Sequence, residues 1–241
     1  MNEGNPFPAA AADANVAEAI AAIPSWRHRI RIGPVITPGT EDSDAELQRL
    51  RLPTSLNGQR VLDIGCSDGL YSFEAERRGA HEVVAIDDES SLLAGGVNGF
   101  QTARALLNSK VGYRVRDVEE LNPGEDGQFD FVLFVNVLYH LRNPMRALDA
   151  INSVTRPGGQ MILKTYFQTD VRKWVRGRCI GFDIDPRPKL WFYPGTELAG
   201  DPTNWFGPNR RGLEGLLKAT GWEYERMLRW GDRLYYRCTR R

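Results

Sequence analysis

The sequence predicts an α/β fold with a mostly parallel sheet and helices on both faces. Between residues 60 and 165, short apolar runs alternate with amphipathic segments, which is typical of strands joined by crossover helices. Residues 129–137 form an almost uninterrupted apolar run, as expected for a central strand covered on both faces. Residues 222–230 and 233–238 alternate as two strands joined at Gly231-Asp232, which predicts an antiparallel hairpin that closes the sheet.

Length and composition indicate one globular α/β domain with an appendage. The chain has 241 residues, of which 41% are hydrophobic and 26% are charged. Basic and acidic residues both number 31, so no net charge attracts the chain to nucleic acid or to a membrane. The widely spaced Cys66, Cys179 and Cys238 predict neither a disulfide scaffold nor a metal site. No apolar run reaches membrane-spanning length and no basic signal region opens the chain, so we expect a cytoplasmic protein.

Four segments are predicted along the chain. They are an N-terminal helix and lid segment (1–52), a ligand-binding core (53–166), an aromatic insertion (167–208), and a last helix with the terminal hairpin (209–241). In the first segment, arginines alternate with Trp26, His28 and Ile30, as on a half-buried strand. Two interpretations stay open, an edge strand with a solvated basic face and a lid that supplies Arg or His to a bound carboxylate.

Two sequence signals predict where a helix and a strand begin in the second half of the core. Asn143 followed by Pro144 predicts a helix over 145–154, with Asn143 as its N-cap. The triplet Pro157-Gly158-Gly159 predicts a turn from this helix into a strand over 160–165.

A glycine-bounded loop follows the first core strand. The strand Val61-Leu62-Asp63-Ile64 breaks into Gly65-Cys66-Ser67-Asp68-Gly69, and an amphipathic segment begins at Leu70. Such a strand–loop–helix switch is where open α/β sheets bind small ligands, and glycine allows close approach of the backbone. Asp63 stands where an isolated strand favours an apolar residue, so we expect loop amides or a cationic ligand as its partner.

Polar side chains also end the following strands. Asp87 and Asp88 end the second strand, where a carboxylate is placed to accept hydrogen bonds from both hydroxyls of a ribose. Asp117-Val118 follows the third strand, and Asn136 lies at the end of the apolar central run.

The glycine pattern favours S-adenosylmethionine over a dinucleotide. A dinucleotide fingerprint needs G-x-G-x-x-G, because its second glycine lets the pyrophosphate come close. Ser67 occupies that second position and Leu70 the last. S-adenosylmethionine carries no phosphate, and its sulfonium and ammonium groups favour nearby carboxylates such as Asp63, Asp87 and Asp117.

Over about residues 52–165, these motifs together resemble the class I S-adenosylmethionine-dependent methyltransferases. The resemblance implies a Rossmann-like, seven-stranded sheet with an antiparallel last strand, and it implies no metal. It also implies a donor site. In that site, the loop with Asp63, Gly65, Cys66 and Ser67 borders the methionine part, Asp87 with Asp88 binds the ribose, Asp117 faces the adenine amino group with Val118 beside it, and Asn136 lies under the methionine moiety.

A narrower likeness lies in residues 137–144 and in Trp205-Phe206-Gly207-Pro208. These stretches resemble the methyltransferase group that includes the tRNA wobble-uridine carboxymethyl transferase. That resemblance implies a carboxylated donor held by a lysine upstream of the core. No lysine precedes Lys110 here, so plain S-adenosylmethionine is the expected donor unless an arginine of segment 27–31 replaces the lysine.

His140 and Tyr139 are the predicted catalytic side chains. Methyl transfer depends mainly on alignment, and a base is needed when the acceptor is a hydroxyl or a protonated amine. His140 is the candidate base, and Tyr139 is placed to orient the acceptor or contact the donor. The alternative is a core histidine that caps a carbonyl beside a packed tyrosine. His81 is expected to face solvent, and Cys66 to fill space rather than act as a nucleophile.

The insertion is expected to cover the acceptor. Its aromatic residues are Trp174, Phe182, Trp191, Phe192, Tyr193, Trp205 and Phe206. A lid over a flat or glycosylated small molecule, a satellite core and a dimer contact are all compatible with this composition. The predicted function is therefore methyl transfer to an oxygen or nitrogen of a small molecule, such as a natural product or sugar.

A basic cluster in the insertion keeps an RNA acceptor open. Arg172, Lys173, Arg176 and Arg178 lie beside Trp174, and neighbouring basic and aromatic groups are typical of single-stranded nucleic-acid binding. The first alternative function is therefore a tRNA wobble-uridine alkyltransferase. The second alternative is a non-catalytic binder of S-adenosylmethionine.

Overall fold

The computed structural model describes residues 13–88, 96–175, 178–182 and 184–241. The chain divides into two compact units, Met1–Val118 and Glu119–Arg241. In the first unit, the described elements are α1 (Asp13–Ala21), β1 (Arg31–Ile32), β2 (Val35–Ile36), α2 (Ser43–Leu50), β3 (Arg60–Ile64), α3 (Leu70–Arg77), β4 (Glu82–Asp87), α4 (Gly96–Leu107) and β5 (Gly112–Val115).

The second unit combines the rest of the sheet with the aromatic insertion. Its described elements are α5 (Pro123–Asp126), β6 (Phe129–Val135), α6 (Pro144–Val154), β7 (Thr155–Tyr166), β8 (Val171–Val175), β9 (Arg178–Phe182), β10 (Leu190–Phe192), β11 (Phe206–Pro208), α7 (Arg210–Ala219), β12 (Trp222–Trp230) and β13 (Arg233–Arg240). Strand β6 is buried along nearly its whole length, as its apolar run predicted. Helix α7 begins where the Asn209 side chain accepts a hydrogen bond from Gly212 N at 2.7 Å.

The predicted seven-stranded α/β sheet is confirmed. Its strand order is β12-β13-β7-β6-β3-β4-β5. Strands β3, β4 and β5 pair in parallel, as do β6 and β7, whereas β13 runs antiparallel to both β7 and β12. The terminal hairpin therefore supplies the antiparallel strand, and its turn lies at Gly231-Asp232 as predicted.

The alternation in the N-terminal segment is confirmed, although little of it is regular strand. The side chains of Trp26, His28, Ile30 and Ile32 are buried, and those of Arg27, Arg29 and Arg31 are exposed. Arg31–Ile32 pairs with Val35–Ile36 in a two-residue hairpin. The arginines thus form a solvated face over a buried apolar row.

One local prediction in the second unit was wrong. Residues 156–159 do not turn the chain into a new strand, because β7 already begins at Thr155 and carries these residues as an irregularity in its pairing with β6. Gly158 has a φ of 77°, which lets the strand bulge there. Helix α6 has Asn143 as its N-cap residue and Pro144 in its first turn, as predicted. The Asn143 side chain makes no capping bond, however, and donates to Glu119 Oε2 at 2.9 Å.

Among the helices of the described residues, none is both long and apolar enough to cross a membrane.

Candidate functional site

In the first unit, the loop between β3 and α3 has the backbone that its glycines predicted. Gly65, Ser67 and Gly69 have φ values of 69°, 51° and 89°. An L-residue rarely adopts this left-handed region, so Ser67 is held there by its surroundings. A methyl group on Gly69 would lie 2.6 Å from the Phe73 ring and 2.7 Å from the Phe100 ring. The loop therefore requires glycine at position 69 for both conformation and space.

Asp87 holds this loop at the end of the adjacent strand. Its Oδ2 accepts a hydrogen bond from Ser67 N at 2.9 Å, and its Oδ1 accepts one from Asp88 N at 3.1 Å. Ile64 and Ile86 are register partners in the parallel pair, so β3 and β4 end side by side. The structure thus brings together Ser67, Asp87 and Asp88, which were predicted to share one site.

The end of β5 lies at the same edge of the sheet. Arg116 N donates to the Asp87 carbonyl oxygen at 2.8 Å, which places the chain leading to Asp117 beside β4. Asp117 is exposed and Val118 is buried. An exposed carboxylate beside a buried apolar side chain is compatible with the predicted contacts to an adenine ring, which stay a prediction.

Cys66 is completely buried within the loop. Burial, with neighbouring carboxylates, raises the pKa of the Cys66 thiol well above its ordinary value. A buried, protonated thiol is consistent with a side chain that fills space. A contact between the backbone of Cys66 and a bound donor stays a prediction.

Asp63 is a buried carboxyl in β3. It is 1% exposed, and its Oδ2 accepts a hydrogen bond from Ser72 Oγ at 2.5 Å. Burial raises the pKa of Asp63 to about 7, although Ser72 and His28 act in the opposite direction. The observed partner of Asp63 is therefore the Ser72 hydroxyl in α3, and not the loop amides or the cationic ligand that we expected.

The raised pKa predicts a pH-dependent stability. The folded pKa of about 7 lies above the ordinary value of 3.8, so the folded state binds more protons between these pH values. Stability is then lost as the pH rises through this window, by up to about 4 kcal/mol. We expect Asp63→Asn to lack this loss, so that its unfolding free energy relative to wild type rises between pH 5 and pH 8. Chemical denaturation measures the difference. Exposed Asp44 supplies the control Asp44→Asn, and parallel pH curves for wild type and Asp63→Asn would refute the assignment.

The N-terminal segment binds the same loop through Asp68. Arg27 N and His28 N donate to Asp68 Oδ2 at 2.8 and 2.9 Å, and His28 Nδ1 contacts Asp68 Oδ1. Arg27 also pairs with Glu41 at 2.8 Å. The buried His28 therefore fastens segment 26–32 to the loop. Asp68 was not predicted as a site residue, because its partners lie 40 and 41 positions away in the sequence.

In the second unit, Asn136 directly follows β6 and has a strained backbone conformation. Its φ is 62°, and its backbone N donates to Lys164 O at 2.8 Å. The side-chain Oδ1 is buried and has no hydrogen-bond partner within the described part of the chain. A buried acceptor of this kind suits a ligand that donates a hydrogen bond, such as an ammonium group.

Tyr139 is packed rather than exposed. It is 6% exposed, and its ring lies 6.3 Å from the Tyr166 ring in an edge contact. The Arg233 guanidinium lies 5.3 Å from the Tyr139 centroid and 5.4 Å from that of Tyr166. The terminal hairpin brings Arg233 against both rings, a contact that was not predicted from the sequence.

His140 follows Tyr139 and contacts a turn of the insertion. Its Nδ1 lies 3.0 Å from Thr203 Oγ1 and 3.2 Å from Thr203 O. The Thr203 hydroxyl donates in turn to Asp201 Oδ1 at 2.7 Å. His140 thus contacts a backbone carbonyl, that of Thr203, as the alternative interpretation of this residue predicted. Asp201 and Thr203 were not singled out from the sequence, because nothing marks a contact across 63 positions.

Aromatic side chains of the insertion lie next to this turn. Trp205 N donates to Tyr139 O at 2.8 Å, and the Arg142 guanidinium lies 4.4 Å from the Trp205 centroid. Phe192 is 58% exposed and nearly parallel to Trp205, at 13° and 6.3 Å between centroids. These residues form an exposed aromatic face with one cation.

The structure does not test the predicted basic cluster of the insertion, and the question of a metal site is addressed for the described residues. The side chains of Arg172, Lys173, Trp174 and Arg178, and all of Arg176, lie outside the described residues, so the basic cluster stays a prediction. Among the residues that are described, no group of three or more His, Cys, Asp or Glu could hold a metal ion.

Comparison with known proteins agrees with this geometry. Residues 62–163 match the family described as "Methyltransferase domain", which confirms the predicted domain type for that region. A tRNA U34 carboxymethyltransferase of Campylobacter hominis is 36% identical over 115 residues, which cover 46% of this chain and 38% of that protein. A ubiquinone biosynthesis O-methyltransferase of Marinobacter nauticus is 38% identical over 114 residues, or 46% of this chain and 45% of that protein. The alignments thus span less than half of each relative's length.

Solved structures share the fold over more of the chain. An S-adenosylmethionine-dependent methyltransferase from Mesorhizobium loti has a TM-score of 0.60 at 19% identity, covering 81% of this chain and 98% of that one. The N-terminal domain of EvdMO1, solved with SAH and D-fucose, has a TM-score of 0.60 at 17% identity, covering 96% of this chain and 97% of that one. At these identities, the likeness confirms the fold.

Proposed function

We propose that this chain is an S-adenosylmethionine-dependent methyltransferase that acts on an oxygen or nitrogen of a small molecule. The observation that carries the proposal is the loop of residues 65–69, held by Asp87 at the ends of two parallel strands. Ser67 places a side chain where a pyrophosphate requires glycine. The family match over residues 62–163 supports the same donor.

The residues present fit this donor chemically. Asp87 and Asp88 supply ribose acceptors, Asp117 an acceptor for the adenine amino group, and Asn136 a buried oxygen that has no partner among the described residues. Bound S-adenosylmethionine supplies a methyl group on a positively charged sulfur, which keeps the electron pair when the carbon–sulfur bond breaks.

His140 is the proposed general base for a hydroxyl or protonated amine acceptor. Its ring accepts the acceptor's proton, and the electron pair of the broken O–H or N–H bond stays on the acceptor atom. Alignment of the reacting atoms supplies the larger share of catalysis, about 7–11 kcal/mol, and the base adds about 10²–10⁴-fold.

The aromatic face supports a small acceptor with a flat or sugar ring. Trp205 and Phe192 offer ring surfaces, and the turn that contains Trp205 also contacts His140. We expect Trp205→Ala to raise the acceptor KM about 3–10-fold through lost ring contacts, with the donor Kd unchanged. Steady-state kinetics with the identified acceptor measures this. Trp230→Ala, which removes an exposed tryptophan of the terminal hairpin, is the matched control. An unchanged acceptor KM would remove Trp205 from the acceptor site.

Two measurements test the function itself. Calorimetry is expected to show binding of S-adenosylmethionine and not of NAD, and the opposite result would overturn the proposal. Methyl-labelled donor, incubated with the protein and a small-molecule extract, is expected to label a low-molecular-weight product. Donor binding without a labelled product from small molecules or RNA would favour a non-catalytic binder.

The second candidate is alkyl transfer to a tRNA wobble uridine. The likeness to the Campylobacter hominis tRNA U34 carboxymethyltransferase favours it, as does the Arg142–Trp205 stack. Under this alternative, bulk tRNA binds with an affinity that falls steeply with salt, and the label enters RNA. Comparison of S-adenosylmethionine with its carboxylated form in the same assay identifies the donor.

A further inference from the structure

We infer that Thr203 and Asp201 are positioning residues that hold the proton of His140 on Nδ1 and leave the lone pair of the neutral ring on Nε2. The inference rests on the proposed function, because it assigns Nε2 as the nitrogen that accepts the acceptor's proton. It concerns the second unit alone.

The direction of each hydrogen bond follows from what each atom can donate. The Thr203 carbonyl oxygen, 3.2 Å from His140 Nδ1, can accept and cannot donate. The Thr203 hydroxyl, 3.0 Å from the same nitrogen, has one proton and donates it to Asp201 Oδ1 at 2.7 Å. Both oxygens that face Nδ1 are therefore acceptors. Nδ1 carries the proton, and the neutral imidazole is basic at Nε2.

Asp201 is preorganised for this task. Its Oδ1 accepts a second hydrogen bond from Thr203 N at 2.8 Å, so side chain and backbone of one residue bind one oxygen. Partial burial raises the pKa of Asp201, but the Thr203 hydrogen bonds and the nearby His140 outweigh it and hold the pKa below its ordinary value. The carboxylate is charged at neutral pH and fixes the direction of the hydroxyl.

The same carboxylate acts on the charged state of His140. When Nε2 takes a proton, the ring becomes a cation that the Asp201 charge stabilises through Thr203. Two guanidinium groups oppose this effect, Arg142 over Trp205 at 4.4 Å and Arg233 over Tyr139 at 5.3 Å. Removal of the Asp201 charge takes this stabilisation of the cation away, so we expect it to lower the pKa of His140.

Nitrogen NMR of the histidine rings, on the full chain without donor or acceptor, tests the assignment directly. His140→Gln identifies the His140 signals among those of the three histidines. We expect the neutral ring of the wild type and of Thr203→Ser to carry its proton on Nδ1. Thr203→Val, of similar size, loses the hydroxyl acceptor and keeps the carbonyl, so it is expected to populate the other tautomer in part. Asp201→Asn is expected to lower the pKa of His140 by about 1 unit.

A kinetic readout follows the same pair of residues. In Asp201→Asn, the acid limb of the kcat/KM profile is expected to move to lower pH by the shift that NMR measures, while the donor Kd is unchanged. Thr203→Ser is expected to keep the wild-type profile, and Thr203→Val to lower kcat. A wild-type ring with its proton on Nε2, or the same tautomer and pKa in all variants, would overturn the inference. Because NMR requires no turnover, it determines the tautomer of His140 even if the proposed function is wrong.

Discussion

Replacement of His140 with glutamine is expected to lower kcat about 10²–10⁴-fold, the range that a positioned base contributes. Glutamine retains hydrogen-bonding groups but cannot accept a proton at neutral pH. The donor Kd is expected to stay within about twofold, because the change removes a proton acceptor and no proposed donor contact. Steady-state kinetics with the labelled donor and calorimetry measure the two quantities.

His81→Gln is the matched control, since His81 is an exposed histidine of the first unit. It is expected to keep the wild-type kcat and pH profile. The His140 variant should also lose the acid limb of the rate profile, because no imidazole remains to be protonated there. A wild-type kcat in His140→Gln would show that the acceptor reacts without a base and would return His140 to a structural role.

Much of the fold and of the loop of residues 65–69 could be predicted from local sequence signals. Alternating apolar and amphipathic segments indicate strands and helices, and the glycines around Ser67 indicate the loop conformation that the structure shows. Asp87 was predictable at the same edge, since parallel strands end on one side of a sheet. The alternating burial of Trp26, His28 and Ile30 likewise follows a period of two.

The contacts that orient the candidate base could not be predicted in this way. Thr203 meets His140 across 63 positions, and Asp68 meets His28 across 40. Such pairs depend on how two irregular segments pack, and neither has a repeat that a sequence pattern can report. The bulge at Gly158 was misread as a turn for a related reason. Glycine permits a positive φ in a turn and in a strand bulge alike, and the pairing with β6 decides between them.

Replacement of Asp87 with alanine is expected to weaken the binding of S-adenosylmethionine about 10²–10⁴-fold. Each hydrogen bond to a charged acceptor contributes about 1.5–3 kcal/mol, and two ribose hydroxyls would lose theirs. The same change removes the acceptor of Ser67 N and Asp88 N, so the loop also loses the contact that holds Ser67 at a positive φ. Calorimetry measures the Kd, and circular dichroism with thermal unfolding confirms that the variant is folded.

Asp87→Asn and Glu18→Ala separate the ribose contact from general effects. Asparagine keeps the size of Asp87 but replaces one acceptor oxygen by a donor, so an intermediate loss of affinity is expected, again with a folded protein. Glu18 is an exposed carboxylate of α1 in the same unit, and its removal is expected to leave the Kd unchanged. If folded Asp87→Ala binds the donor as tightly as Glu18→Ala does, the loop of residues 65–69 does not form the nucleoside site, and the proposed donor loses the observation on which it rests.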